Sequence, residues 1–178
     1  MPRVITVDVR KCMGCHSCEI ACAIAHSEAK TLFEAIGERP LPQPRVSVLA
    51  VGEAAIPLQC RHCEDAPCVE ICPTGALQKP DSEGPVTIDH ELCIGCKSCI
   101  IVCPFGVIAM SADGKTIVKC DMCIERLERD EQPACVEACP TGAMQLVSVD
   151  ELTAAARGRT ASEIVTVLAE QGGKANQG

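Results

Sequence analysis

The stretch from Cys120 to Pro140 reads CDMCIERLERDEQPACVEACP and contains four cysteines. Two residues separate the first two cysteines and three separate the last two, but eleven residues lie between the pairs. An earlier stretch, Cys60 to Pro73, has the same order of cysteines with a middle gap of four residues. The two stretches also end alike, since APCVEICPTGAL lies over PACVEACPTGAM. The later group is therefore an enlarged copy of the earlier one, with all four cysteines intact.

The other cysteines form two further groups that share the spacing C-x2-C-x2-C-x3-C. VDVRKCMGCHSC in the first of these groups lies over IDHELCIGCKSC in the second. Two motif types thus alternate along the chain and use all sixteen cysteines. They are type A (Cys12, Cys15, Cys18, Cys22 and Cys93, Cys96, Cys99, Cys103) and type B (Cys60, Cys63, Cys68, Cys72 and Cys120, Cys123, Cys135, Cys139).

This spacing is typical of iron-sulfur sites. A C-x2-C-x2-C turn wraps three thiolates around one face of a cubane, and in bacterial ferredoxins the fourth cysteine binds a neighbouring cluster. Motifs of this kind work in pairs. Structural zinc sites favour two separated C-x2-C pairs, and disulfides need an oxidising compartment. Both alternatives explain four complete and repeated sets less well.

The composition of the chain limits the kind of core, the partners and the compartment that we expect. Phe33 and Phe105 are the only aromatic residues, so a conventional aromatic-rich core is not expected. The formal charge of −8 makes nucleic acid and anionic membrane surfaces poor partners. The N-terminus MPRVITVDVRKC has no apolar signal region, and the longest apolar stretch is well short of the about 20 residues that cross a bilayer. We expect a cytoplasmic protein without a membrane span whose partners are proteins.

The sequence resembles the four-cluster ferredoxin-type subunits that serve molybdenum or tungsten enzymes, hydrogenases and carbon monoxide dehydrogenases, such as those of formate hydrogenlyase and dimethyl sulfoxide reductase. The resemblance covers roughly residues 4–149, and its most specific marks are CRHCEDAPCVEICPTGAL and the long spacing that begins with CDMC. It implies four [4Fe-4S] clusters. It also implies an α+β fold of two pseudo-symmetric bacterial-type 2[4Fe-4S] ferredoxin-like units, one inserted in the other, with short strands, loops and a helical C-terminal tail.

The resemblance further implies how the cysteines divide. The sets are set 1 (Cys12, Cys15, Cys18, Cys139), set 2 (Cys22, Cys120, Cys123, Cys135), set 3 (Cys72, Cys93, Cys96, Cys99) and set 4 (Cys60, Cys63, Cys68, Cys103). The repeat order alone would equally allow the first motif to pair with the second. One independent feature favours the family arrangement. RVITVDV before the first motif and AMQLVSV after the fourth both alternate like short strands, which could pair and close the outer unit.

These sets divide the chain into an outer unit of residues 4–22 and 115–149, a connecting segment of 23–56, an inner unit of 57–110 and a tail of 150–178. In the connecting segment, a proline-rich loop leads into the strand-like VSVLAV. The insert IERLERDEQPA predicts a solvated helical turn, with a docking loop as the alternative. Two capping boxes, Ser148-x-x-Glu151 and Thr160-x-x-Glu163, predict helices in the tail, and the final GGKANQG is expected to be disordered.

His16 and His62 lie inside cysteine motifs, but the cysteines already complete four sites, so we expect both histidines to adjust potentials from nearby positions.

The sequence shows no catalytic triad, phosphate loop or dinucleotide fingerprint. The leading hypothesis is a non-catalytic electron-transfer subunit that joins a catalytic subunit, best guessed as a tungsten or molybdenum aldehyde or formate oxidoreductase, to a second redox subunit or carrier. Alternatives are a hydrogenase or carbon monoxide dehydrogenase subunit, a free polyferredoxin, and a redox sensor or zinc scaffold. A series of clusters that is exposed at both ends could also allow copies of the protein to join into higher-order arrays.

Overall fold

The computed structural model describes residues 3–81 and 83–175, and within them all strands are short. The strands are β1 (Arg3–Val7), β2 (Val46–Val51), β3 (Ala54–Gln59), β4 (Leu77–Gln78), β5 (Thr87–Ile88), β6 (Ala109–Met110), β7 (Ile117–Val118) and β8 (Met144–Ser148). The helices are α1 (Ser17–Ala25), α2 (Leu32–Ala35), α3 (Pro67–Glu70), α4 (Ser98–Val102), α5 (Ile124–Leu127), α6 (Ala134–Glu137) and α7 (Val149–Ala175), with a 3-10 turn at Val9–Lys11. The predicted α+β class with short strands and a C-terminal helix is confirmed.

Strand β1 pairs with β8, although the two lie at opposite ends of the cysteine motifs. The backbone N–H of Asp8 donates to the carbonyl oxygen of Ala143 at 2.8 Å. The Thr6 hydroxyl donates to the carbonyl oxygen of Gln145 at 3.3 Å. The prediction that RVITVDV and AMQLVSV form strands that pair is confirmed.

The connecting segment contains a hairpin. VSVLAV forms β2 as predicted, and it pairs antiparallel with β3 from Val46 opposite Gln59 to Val51 opposite Ala54. The two-residue turn between them begins with Gly52 at φ 60, a left-handed conformation that glycine adopts at no steric cost. Neither β3 nor α2 was predicted, because the apolar residues of the segment are interrupted by proline and charge.

The type A motifs share one backbone conformation. The residue before α1, His16, has φ 60, and the residue before α4, Lys97, has φ 67. A left-handed residue at this point turns the chain sharply from the cysteine loop into the helix, so that the third cysteine of each motif lies in the first turn of the helix. Both of these cysteines, Cys18 and Cys99, are buried.

Buried side chains form two hydrophobic clusters. The outer core draws on the first and last motifs and consists of Ile5, Cys18, Cys22, Val46, Met122, Cys135 and Met144. The inner core draws mainly on the two middle motifs and consists of Ala66, Leu77, Val86, Cys99, Ile108 and Ile117. Both aromatic residues are exposed, Phe33 at 86% and Phe105 at 45%. Aliphatic side chains and cysteines therefore fill the cores, as the composition predicts.

Residues 5–146 form one compact unit, and the described residues among 1–4 and 147–178 form another. In the second unit the Ser148 capping box is present: the Glu151 carboxylate accepts from the Ser148 backbone N–H at 2.7 Å, and the Ser148 hydroxyl accepts from the Glu151 N–H at 3.2 Å. The second predicted helix start, at Thr160, is wrong, because α7 continues through it without interruption.

Helix α7 also extends further than predicted. It includes residues 172–175 of the GGKANQG segment, for which we expected disorder, while residues 176–178 lie outside the described part of the chain. Side chains from 153 to 168 are exposed. Among the described residues no helix combines the length and the apolar character that a membrane crossing requires.

Candidate iron-sulfur sites

Two cavities are each lined by four cysteines. One is lined by Cys12, Cys15, Cys18 and Cys139. The other is lined by Cys72, Cys93, Cys96 and Cys99. Each cavity combines three cysteines of a type A motif with the last cysteine of a type B motif, which are the groupings written above as sets 1 and 3. In each cavity one cysteine, Cys15 or Cys96, is exposed to solvent.

The cysteines of set 2 are all buried. Burial raises the pKa of the Cys135 thiol, and the neighbouring thiols of Cys120, Cys22 and Cys123 raise it further. Burial also raises the pKa of Cys120 to about 12, against the backbone N–H of Met122, which donates to its sulfur at 3.3 Å. The thiols of set 2 are therefore near enough to influence one another's protonation.

Set 4 is assembled in the inner core. Burial raises the pKa of the Cys68 thiol, and Cys60 and Cys103 raise it further, so these three sulfur atoms are neighbours. Cys63 packs against the same core as Cys68 and Cys103. The structure thus places the cysteines of sets 1 and 3 together in two cavities, while the assignment of the remaining cysteines to sets 2 and 4 stays a prediction.

The sets also adjoin one another in pairs. Cys18 of set 1 is close enough to Cys135 of set 2 to contribute to the rise of its pKa. Burial raises the pKa of Cys99 in set 3, and Cys68 of set 4 adds to that rise. The packing agrees, since Cys18 and Cys135 lie in the same outer core, and Cys68 packs against the inner core that contains Cys99.

The internal repeat extends to the hydroxyl groups beside sulfur. In the type A motifs, the hydroxyl of Ser17 lies 3.4 Å from the sulfur of Cys15, and that of Ser98 lies 3.6 Å from the sulfur of Cys96. The Ser17 hydroxyl and the Ser98 backbone N–H are the main causes that lower the pKa of Cys15 and of Cys96. A hydroxyl at this distance can donate to a thiolate, so it favours the deprotonated sulfur that binds iron.

The type B motifs repeat a different arrangement. The hydroxyl groups of Thr74 and Thr141 lie 3.8 Å and 3.7 Å from the sulfur atoms of Cys72 and Cys139. At the start of these motifs, the backbone N–H of His62 donates to the Cys60 sulfur at 3.4 Å, as Met122 does to Cys120. His62 and Met122 both have left-handed φ values, 49 and 61, which turn these N–H groups toward sulfur. Hydrogen bonds to sulfur are one of the means by which proteins set the potential of a cluster.

A charged network lies beside set 2. The Asp121 carboxylate accepts from Nε2 of His26 at 3.1 Å, from the Arg45 guanidinium, and from the backbone N–H of Cys123 at 2.9 Å. The other ring nitrogen of His26 faces the carbonyl oxygen of Cys22 at 2.7 Å. Because acceptors face both nitrogens, the imidazole holds both protons.

The pKa values of this network agree with an ion pair. Burial alone would lower the pKa of His26, but its hydrogen bonds to Asp121, Cys123 and Cys22 raise it to about 11. Burial alone would raise the pKa of Asp121, yet His26 and the Arg45 guanidinium hold it well below its usual range. The cysteine spacing gives no hint of this network, because its members are far apart in sequence.

His62 and His16 differ in their surroundings. His16 is half exposed and pairs with Glu19 at 2.7 Å. His62 is only partly exposed, and its Nδ1 accepts from the backbone N–H of Val86 at 3.0 Å. Burial and the Lys119 ammonium lower the pKa of His62 to about 3, so the neutral ring carries its proton on Nε2. That N–H is buried and has no hydrogen-bond partner among the described residues.

These observations fit an inorganic sulfur cluster. A buried donor is costly unless an acceptor is supplied. His62 lies between Cys60 and Cys63, so a cluster bound by these cysteines would supply sulfur atoms as acceptors near its ring. The grouped thiols stay neutral while they carry protons, and bound iron would displace those protons and compensate the charge of the thiolates.

The insert of the fourth motif is folded and fixed. It contains α5 and ends where α6 begins, which confirms the predicted helical turn. Arg126 holds its two ends together, since Nε donates to the carbonyl oxygen of Gln132 at 2.7 Å and the guanidinium pairs with Glu131 at 3.3 Å and with Glu137. Beside it lies an open groove between α1 and α6, with alanines such as Ala21 and Ala138 among its lining residues.

Residues 52–149 match the family model described as the 4Fe-4S dicluster domain. The chain is 43% identical over 175 residues to an iron-sulfur protein of Rhodospirillum rubrum, covering 90% of each chain. It is 36% identical over 179 residues to the electron transport protein HydN of Escherichia coli (strain K12), covering 90% of this chain and 98% of HydN. It is also 33% identical over 187 residues to a sulfite dehydrogenase subunit of Allochromatium vinosum, covering 95% of this chain and 75% of that relative.

Its sixteen cysteines fit four [4Fe-4S] clusters, and its relatives carry names of electron transport and of an oxidoreductase subunit. The chain therefore belongs to the 4Fe-4S dicluster family of ferredoxin-type electron-transfer proteins.

Proposed function

We propose that this protein is a non-catalytic subunit that carries electrons through four [4Fe-4S] clusters, between the catalytic subunit of a cytoplasmic oxidoreductase and a second redox subunit or carrier. The observation that carries the proposal is the pair of cavities that are each lined by three cysteines of a type A motif and the last cysteine of a type B motif. The ligands are set 1 (Cys12, Cys15, Cys18, Cys139), set 2 (Cys22, Cys120, Cys123, Cys135), set 3 (Cys72, Cys93, Cys96, Cys99) and set 4 (Cys60, Cys63, Cys68, Cys103).

Each [4Fe-4S] cluster, when bound, accepts and releases one electron. The surrounding residues determine how readily it does so. Ser17, Ser98, Thr74 and Thr141 offer hydroxyl groups to the cysteine sulfur atoms of the exposed sets. The buried sulfur atoms of set 2 are shielded from water by the outer core. A dry site with few donors favours a low potential, and each hydrogen bond to sulfur raises it.

The packing of the cysteines supports a path of clusters between two surfaces. Cys18 of set 1 packs with Cys135 of set 2 in the outer core, and Cys68 of set 4 packs against the core that contains Cys99 of set 3. The exposed cysteines Cys15 and Cys96 belong to sets 1 and 3. Exposed apolar side chains stand beside both, Met13 at 67% and Ile94 at 66%. We infer that electrons enter and leave at sets 1 and 3 and cross the interior through sets 2 and 4.

The same observations support two ferredoxin-like units, one inserted in the other. The outer unit comprises residues 4–22 and 115–149 and the inner unit residues 57–110, with 23–56 as a connection. Two separate hydrophobic cores and the pairing of β1 with β8 favour this division.

The catalytic partner is best proposed as a tungsten or molybdenum aldehyde or formate oxidoreductase, with a hydrogenase or carbon monoxide dehydrogenase next. This choice rests on the family resemblance. A relative whose name marks it as one subunit of a dehydrogenase supports the more general idea of a component in a complex. Unpaired cysteines in such number favour a reducing compartment, hence the cytoplasm.

Anaerobic affinity purification from the native organism tests the proposal. We expect about sixteen iron and sixteen acid-labile sulfide atoms per chain, four of each per cluster, and co-elution with a larger redox enzyme. Elution as a lone species near 18.8 kDa with full iron content would instead indicate a free polyferredoxin. Zinc in place of iron and sulfide would contradict both ideas.

A further inference from the structure

A buried lysine contacts both the fourth cysteine motif and the inner core. Lys119 is 1% exposed and is among the largest fully buried side chains. Its ammonium donates to the carbonyl oxygen of Cys120 at 2.7 Å and to that of Val86 by a shorter contact. Within the described part of the chain, no carboxylate lies within ion-pair distance of this ammonium. A buried cation without a counter-anion is costly, so its position calls for an explanation.

The two carbonyl groups that accept from Lys119 belong to residues associated with different cysteine sets. Cys120 itself belongs to set 2. Val86 belongs to the inner core, and its N–H donates to His62, which lies between Cys60 and Cys63 of set 4. Lys119 thus connects the backbone of Cys120 in set 2 to Val86, the residue that hydrogen bonds to His62 in the motif of set 4.

The hydrogen bonds place the ammonium beside both motifs. Lys119 directly precedes Cys120 in the chain, and its ammonium donates to the carbonyl oxygen of that cysteine. Val86, which accepts from the same ammonium, donates its N–H to the ring of His62, whose own backbone N–H donates to the sulfur of Cys60. One ammonium therefore contacts residues of two cysteine motifs.

Other charged groups near this position leave the lysine charge uncompensated. Asp121 is the nearest acidic group along the chain, but its carboxylate is already paired with Arg45 and His26. Lys79 donates to the carbonyl oxygens of Cys63 and Glu64 and also lowers the pKa of His62, but it is partly exposed and hence screened by water.

We propose that Lys119 is a shared counter-cation of the two central clusters, those of sets 2 and 4, and that it raises the reduction potential of both. A cluster becomes more negative on reduction, so a fixed positive charge nearby stabilises the reduced form. In a dry interior this attraction is screened little. The inference rests on the proposed function, because it requires clusters at both sets. It adds that one residue adjusts two neighbouring steps of the electron path together.

Three variants test the proposal in the purified, cluster-loaded protein. Lys119→Met removes the charge with little change of volume, and Lys119→Arg keeps the charge. Arg159→Met is the control, since Arg159 is an exposed cation of helix α7, outside the cysteine motifs. Iron and sulfide content is measured first, and the potentials of the individual clusters are then measured by redox titration monitored by electron paramagnetic resonance.

We expect two of the four clusters to shift to more negative potentials in Lys119→Met, while the other two stay unchanged. Lys119→Arg should keep the potentials near those of the native protein, and Arg159→Met should not alter them. Unchanged potentials in a fully loaded Lys119→Met protein would overturn the proposal and leave the proposed function intact. So would a shift of a single cluster, or equal shifts in the Met and Arg variants.

If Lys119→Met fails to assemble, Lys119→Gln takes its place, because glutamine is neutral but can still donate to a carbonyl oxygen. Assembly of Lys119→Arg but of no neutral variant would assign the residue to folding and would also overturn the proposal. Iron and sulfide far below about sixteen atoms each in the native protein would instead count against the proposed function itself.

Discussion

The α-carbon of Gly95 lies so close to the backbone of Lys115 that a Cβ atom on Gly95 would overlap the Lys115 carbonyl oxygen. Gly95 also has φ 63, which disfavours other residues. Gly95→Ala should therefore prevent stable loading of set 3, whose cysteines flank it. Gly142→Ala is the control, since Gly142 has φ 62 but open space around it. Loss of about a quarter of the iron in the first variant only is the expected result, and equal iron contents would show that the close approach is unimportant.

Solvent access predicts the order in which clusters decay. Sets 1 and 3 each contain an exposed cysteine, Cys15 or Cys96, whereas the cysteines of set 2 are all buried. Under limited exposure to oxygen, we expect Cys15 and Cys96 to become available for alkylation before Cys120 and Cys135. Timed alkylation followed by peptide mass spectrometry measures the order. Early labelling of Cys120 would be inconsistent with the burial of set 2.

The His26–Asp121 pair predicts a pH-dependent contribution to stability. His26 has its pKa raised to about 11, so its contribution is complete below the ordinary value of 6.5 and is lost as the pH rises toward 11. His26→Gln removes that contribution. The temperature at which the clusters bleach should fall by several degrees near pH 6.5, and the difference from the native protein should shrink toward pH 10.

His16→Gln is the control for this comparison, because His16 is half exposed and its pair with Glu19 is screened by water. It should lower the bleaching temperature little at any pH. A difference for His26→Gln that stays constant between pH 6.5 and 10 would argue that packing, and not charge, accounts for the loss.

The insert of the fourth motif is expected to contact the catalytic subunit. Changing Glu128, Arg129 and Asp130 to serine or glycine removes the charged tip and leaves the Arg126 contacts that hold the segment in place. We expect unchanged iron content and a weaker complex, as measured by co-purification. Glu53→Ser, on the exposed turn between β2 and β3, is the control. Equal recovery of the partner with both variants would rule out docking at the insert.

Substitutions in and before helix α7 can distinguish the capping box at Ser148, which forms, from the similar pattern at Thr160, which does not start a helix. Ser148→Ala should speed amide exchange in the first turn about fivefold, because the Ser148 hydroxyl accepts from the N–H of Glu151. Thr160→Ala lies in the helix interior and should leave exchange nearly unchanged. Hydrogen exchange read by mass spectrometry distinguishes the two, and similar effects at both positions would contradict the assignment of a single helix.

Cysteine spacing predicts the candidate ligands because part of the pattern is local: in each type A motif three cysteines lie within seven residues of chain. The strands β1 and β8 can also be predicted from the sequence, since polar and apolar side chains alternate clearly in both. The contacts of Lys119 and Asp121 cannot be predicted in this way, because they depend on how distant parts of the chain pack together. Thr160 shows the opposite error, in which a correct local pattern is overridden by a helix that simply continues through it.

The pairing of β1 with β8 has a consequence for synthesis. Thr6 and Gln145, which hydrogen bond across this pair, are 139 residues apart in the chain. At ordinary translation rates the first strand therefore waits roughly 10 to 30 s for its partner, and Cys12, Cys15 and Cys18 wait with it for Cys139. The motifs between 60 and 103 leave the ribosome long before. Iron delivery in the cell would then begin in the middle of the chain and finish at its two ends, and a chain terminated before β8 would present an open strand edge to its neighbours.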